Sequence, residues 1–225
     1  MKASHRITLY IIAIIAGMFT LPSIGTAITP SDGSPFEKQQ SLTTILVQTS
    51  LGKINSLQDA IAQADTLSDD TQQTALDSLE SLENELTNYI DRVESAETQQ
   101  DLQDINQDLV GYLQNNKESL INTAKLVIAE LAEELIAEAE ELITQIGYAL
   151  VVLERTCPEQ PEMIEALQTS IDELETSLDQ LSQAIGSGTT TEIRTIMKDV
   201  VILSKETAEN AITVSEFCGV PMQRP

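Results

Sequence analysis

Cys157 and Cys218 are the only thiols in a chain of 225 residues, and their chemistry depends on their spacing and on the compartment they meet. They lie too far apart for a CxxC redox pair, and no histidine or basic cluster stands near either to lower a thiol pKa. In a chain sent out of the cytoplasm, an even cysteine count points to a disulfide between Cys157 and Cys218. Closing a loop of about 60 residues, that bond would restrict the unfolded chain by about 4 kcal/mol in the chain-entropy treatment.

Carboxylates are the next candidates. Glu130, Glu133, Glu134, Glu138, Glu140 and Glu141 crowd one segment, and Glu134, Glu138 and Glu141 share a face at helical steps. A di-metal carboxylate centre wants histidines three residues after such glutamates, and the sole histidine is His5, near the N-terminus. A solvated acidic face is therefore the expectation, and neither a metal nor another cofactor is. Without a second histidine, Ser-His and Cys-His nucleophile pairs and imidazole ligands have no material once a leader containing His5 is removed. We expect no catalytic residue and no enzyme.

Three smaller motifs have plain structural readings. Ser68-Asp69-Asp70 lacks the spaced ligands, glycine and terminal glutamate of a calcium loop and reads as a helix cap. Gly186-Ser187-Gly188 has no lysine and no preceding strand to make it a phosphate cradle, so it reads as a turn. Asn88, Asn115 and Asn210 are not followed two places later by Ser or Thr, which removes glycosylation at those sites.

The compartment is read from the N-terminus. Lys2 and Arg6 precede an apolar run from Ile7 to Leu21, then Pro22 and Gly25-Thr26-Ala27. That order is the signature of a secretory signal cleaved after Ala27, and the run is short against the ~20 residues of a spanning helix, which makes an uncleaved anchor the weaker alternative. Secretion to a periplasmic or extracellular space is the expectation. The chain carries 36 acidic against 12 basic residues, a formal charge of −24. Cleavage removes Lys2 and Arg6 and no acid. Such a charge repels nucleic acid and anionic lipid.

The elements that must place the cysteines are helices. Aromatic residues make up 3% of the chain, tryptophan is absent, and apolar residues recur with a helical period. After the signal (1–27) and a Pro, Ser, Gly and Asp linker (28–35), the first helix is expected from Phe36 to Ala64, with Leu42, Ile45, Leu46, Ile54, Leu57 and Ile61 on one side and Gly52 as a weak spot. A second helix runs from Thr71 to Ala96 on a stripe of Leu79, Leu82, Leu86, Tyr89 or Ile90, and Val93. Thr98 and Asp101 form a start box for a third, which meets Asn115-Asn116-Lys117 and there breaks, kinks or continues. Residues 36–116 form a hairpin region and 117–156 a long central helix whose apolar doublets, such as Val127-Ile128 and Leu131-Ala132, should touch several neighbours.

Residues 157–218 form a stapled C-terminal hairpin, followed by a tail, 219–225. Its first helix, Glu162 to Ile185, alternates threes and fours through Ile164, Leu167, Ile171, Leu174, Leu178, Leu181 and Ile185, a coiled-coil-like seam. Its second, Thr191 to Phe217, carries Ile193, Ile196, Val200, Leu203, Ala211, Val214 and Phe217. At ~1.5 Å per residue these helices are about 36 and 40 Å long, so the chain returns to its starting level and the cysteines can meet. The fold class is all-α: an antiparallel bundle of about five long helices. A weak repeat of about 92 residues, which sets Leu79, Leu82, Leu86, Tyr89 and Val93 on Ile171, Leu174, Leu178, Leu181 and Ile185, allows two related hairpins sharing the central helix. Leu102, Ile105, Leu109 and Val110 follow onto Ile193, Ile196, Val200 and Val201 after a turn one residue shorter. Any two heptad helices can be slid into such register, so chance remains the other reading. The hairpins resemble spectrin-type and bacterial surface three-helix repeats in their heptads alone, which carries no functional residue across.

Function is read from surface and shape. A non-enzymatic acidic bundle acting as an interaction, spacer or structural module fits best, with an unidentified protein as partner and no nucleic acid. A membrane-active or lipid-binding helical protein of the pore-forming or carrier type is the alternative, opposed by the charge and by the scarcity of Trp and basic residues. A ligand-sensing bundle is the third, with only Tyr89, Tyr112 and Tyr148 to line a pocket. Homo-oligomers remain open through seam ends such as Leu42 to Val47.

Overall fold

The computed structural model describes residues 34–220, and within them the chain is all-α. Five helices follow in order: α1 (Pro35–Ala62), α2 (Asp69–Ser95), α3 (Gln99–Thr156), α4 (Pro161–Ser187) and α5 (Thr190–Phe217). Their starts follow from capping chemistry. Ser34 accepts from the Glu37 amide at 3.3 Å while the Glu37 carboxylate accepts from the Ser34 amide at 2.7 Å, and Pro35 sits where no intrahelical donor is needed. Ser68 caps α2 by accepting from the Thr71 amide, as expected for that acidic triplet. Thr98 and Asp101 bond reciprocally, at 3.1 and 2.8 Å, and hydrogen bonding from the Thr98 side chain, then from its amide, holds the Asp101 carboxyl below its ordinary pKa. Thr189 caps α5 through the Glu192 amide.

The described residues fall into two compact units that meet within α3, at Val127 and Ile128. In the first, α1 and α2 are antiparallel: Gln40 Nε2 donates to the Val93 carbonyl, and Gln72 Nε2 to that of Ile61, each at 2.8 Å. The first part of α3 closes the unit, antiparallel to α2, as Arg92–Asp108 and Thr123–Ser78 contacts record. Val47, Ile54, Leu57 and Ile61 of α1, Leu79, Leu82, Leu86 and Val93 of α2, and Leu102, Ile105 and Leu109 of α3 are buried. In the second unit, Ile146, Leu150 and Leu153 of α3 pack with Leu167 and Ile171 of α4 and Ala211 and Val214 of α5. Each fully buried Leu or Ile contributes about 1.5–3 kcal/mol.

Four expectations need correction. The seam of α1 is rotated: Leu42 and Ile45 are 39% and 40% exposed, while Thr43 and Val47 are buried. Ile54, Leu57 and Ile61 set the inward face, and helical steps back from them reach Val47 and Thr43. Thr43 is tolerated inside because its hydroxyl bonds the Gln39 carbonyl and Asn106 Oδ1. Phe217, expected inside, is 63% exposed. Gly219, with a φ of 67°, turns the chain back so that Val220 donates to the Ser215 carbonyl and packs on the core in its place. In α4 and α5 the buried partners are Ala184 and Met197, with Ile185 and Ile196 only half-buried. Finally, Gly186 and Ser187 belong to the last turn of α4, and only Gly188 caps it. A Cβ at Gly188 would lie 2.7 Å from the Ala184 carbonyl, so the close turn requires glycine.

The helix α3 continues through Asn115-Asn116-Lys117 for 58 residues in all, crossing the boundary expected at 116. Between Leu109 and Ala124 it buries no side chain.

Candidate functional site

The disulfide forms between Cys157, one residue past α3, and Cys218, one past α5, with Cα atoms 5.7 Å apart. Cys157 is buried and Cys218 half-buried. Continued helical hydrogen bonding, from the Cys157 amide to Leu153 and from that of Cys218 to Val214, holds both thiols at one end of the second unit. α3 and α5 enter that end in the same direction because α4 reverses the chain between them. Ala27 and the segment read from the sequence as a leader, with His5, lie outside the described residues, as do residues 221–225 of the tail.

The glutamates line the outer side of α3. Glu133, Glu140 and Glu141 are exposed, and Glu134 and Glu138 half-buried. Glu141 accepts from Gln145 Nε2 at 3.1 Å. No group of three or more metal-ligating side chains comes together among the described residues. The same outer side changes character toward its end: Tyr148, Val151 and Val152 are 75%, 48% and 44% exposed. Leu150-Val151 continues, in the sequence, the series of apolar doublets expected to touch neighbours. Only Leu150 and Leu153 turn inward. The signal was present in the three-residue step from Tyr148 to Val151, which is out of phase with Ile146, Leu150 and Leu153.

Of the tyrosines considered for a pocket, Tyr89 and Tyr112 do come together, with ring centroids 5.9 Å apart. Arg92 lies over the Tyr89 ring at 4.9 Å and reaches Asp108 at 2.7 Å. The Asp108 hydrogen bond raises the Arg92 pKa, against a smaller opposing effect of burial. Burial, then the Glu85 charge and Tyr89, push the Tyr112 phenol up. This cluster ties α2 to α3 and serves as a polar clasp on the first unit. Tyr148 belongs to the second unit.

The chain matches no protein-family model, no curated protein and no solved structure. Among the described residues no helix is long and apolar enough to cross a membrane. The cross-linked cysteines fit a location outside the cytoplasm, where disulfides persist.

Proposed function

We propose that this chain is an exported, non-enzymatic interaction or structural module that presents helix faces to a protein partner. The observation that carries the reading is the set of large apolar side chains left in solvent on an otherwise acidic chain. Leu42, Ile45, Val110 and Leu126 are exposed on the first unit, and Tyr148, Val151, Val152, Ile202 and Phe217 on the second. Singly, such residues are ordinary, but neighbours on one helix face form contiguous patches that mark binding surfaces. The disulfide supports a role outside the cytoplasm, and the leader ending at Ala27 supports secretion. The charge of −24 favours proteinaceous, cationic partners over nucleic acid or anionic lipid.

The test is photo-crosslinking of the secreted, oxidised protein in its native medium, with probes placed beside Leu42, Ile202 and Tyr148. Saturable crosslinks to one protein, competed by unlabelled chain, are expected. Leakage of neutral or anionic liposomes at micromolar protein, without any saturable protein crosslink, would overturn the reading in favour of the membrane-active alternative.

A further inference from the structure

The outer side of α3 within the second unit carries two chemistries in sequence. Glu133, Glu140 and Glu141 are exposed on it, and two to three turns beyond Glu141 come Tyr148, Val151 and Val152, also exposed. Helical steps of three, four and seven place all six on one side, opposite Ile146, Leu150 and Leu153, which face the core. Exposed Arg155 follows at the end. The strip from Glu133 to Arg155 is about 33 Å long at 1.5 Å per residue. Acid, then apolar surface, then a single cation is an asymmetric pattern. It selects both the chemistry of an occupant and its direction.

A second copy of this chain is a poor occupant. Laid parallel it sets carboxylates on carboxylates, and laid antiparallel it covers Tyr148, Val151 and Val152 with glutamates, in each case between two chains of charge −24. An anionic bilayer meets the same repulsion at Glu133, Glu140 and Glu141. A helix with cations over those carboxylates and apolar residues over the tyrosine and valines matches both the acidic and the apolar part of the strip, with exposed Thr144 and Gln145 between them and Arg155 at the apolar end. Cations are favoured in the C-terminal turns of a helix by its dipole, so that helix runs antiparallel to α3. Resting on the interaction reading above, we propose that this strip of α3 docks a cationic amphipathic helix of another protein. The helix lies antiparallel, with Lys or Arg against Glu133, Glu140 and Glu141 and apolar side chains against Tyr148, Val151 and Val152.

The probe is a dye-labelled synthetic helix of about 21 residues, ~30 Å long, with leucines on one face of its N-terminal half and lysines on the same face of its C-terminal half. Fluorescence anisotropy with the full oxidised chain should show saturable binding that weakens with salt. Y148S/V151S/V152S should weaken it about tenfold or more, the size expected for losing an aromatic anchor. E133Q/E140Q/E141Q should weaken it less and flatten the salt dependence. All six positions are exposed, so both variants should keep the native circular dichroism, and the second tests the strip even if the first misfolds. Equal binding of a peptide with glutamates in place of the lysines would overturn the proposal, as would native affinity in both variants, or no binding at all. So would a dimer, or adhesion to anionic vesicles, that Y148S/V151S/V152S abolishes. If the peptide fails while crosslinks beside Ile202 or Leu42 still capture one partner, the docking strip is refuted and the interaction module stands.

Discussion

The two units pair corresponding helices but close differently. An offset of about 92 residues carries α2, Asp69–Ser95, onto α4, Pro161–Ser187, at both ends, and one residue less carries the start of α3 onto that of α5. Caps follow: Thr98 with Asp101 corresponds to Thr189 with Glu192. The correspondence includes α1, whose inward Thr43, Val47 and Ile54 fall on Leu135, Ala139 and Ile146 of α3, all buried. Where the second unit has Cys157 and Cys218, offsets of 93 and 91 reach Ala64 and Val127 in the first, both buried, whereas the offset of 92 itself falls on exposed Asp65. It lacks the covalent tie and relies on a longer list of polar contacts between helices, from Gln40–Val93 to the Arg92–Asp108 clasp. Such contacts are each worth about 0.5–1.5 kcal/mol net, against the ~4 kcal/mol of a staple that long. The comparison teaches that the first unit is the one held by interactions that can open singly, and α3 between Leu109 and Ala124 is its least buried stretch.

The strongest way to break this comparison is to remove the staple. C157S/C218S should cost the second unit about 2–5 kcal/mol, read by hydrogen exchange as faster opening of residues 161–217 with residues 71–93 unaffected. Equal acceleration in both would show that they unfold together and that the contrast has no energetic content. Adding a staple sharpens it from the other side. A64C/V127C should crosslink under mild oxidation and raise the stability of the first unit by up to about 4 kcal/mol, with non-reducing mass spectrometry confirming the bond. Free thiols at those two positions would break the correspondence there. A smaller effect is expected from G219A, which forces a side chain into left-handed backbone and should cost the second unit alone about 1–2 kcal/mol, measured by denaturant titration.

The smallest effect is a pH dependence of the first unit. The Tyr112 phenol is held above its ordinary pKa by burial first and by Glu85 second. A raised folded pKa means that the contribution is complete below the unfolded tyrosine value and is lost as pH rises through the folded one. Phenolate absorbance and helix signal should therefore show the first unit loosening at strongly alkaline pH. Y112F should abolish that component and leave the second unit unchanged.

Much of this was legible in the sequence, for reasons particular residues illustrate. Ser68 and Thr98 are local capping groups, and α2 and α4 begin and end within two residues of the positions their seams implied. The pairing of Cys157 with Cys218 followed from two helices of nearly equal length. The third helix of each repeat was hidden because α3 runs unbroken through Asn115-Asn116-Lys117, leaving no boundary to mark where its second half takes the place of α1. The exposed face of Tyr148 and Val151 was hidden too, because Leu150-Val151 reads as an apolar doublet and only the angle of Val151 from Leu150 and Leu153 shows it outside.

By itself the sequence determined what depends on neighbours along the chain: helical periods, caps, the glycine turn and the level at which the cysteines lie. The tertiary structure alone decided how each helix is rotated about its axis. Turning α1 by a fraction of a turn leaves its backbone hydrogen bonds and caps intact, so nothing local chooses between Leu42 with Ile45 and Thr43 with Val47. Packing against α2 and α3 makes that choice, and with it decides which apolar residues are left for solvent or for a partner.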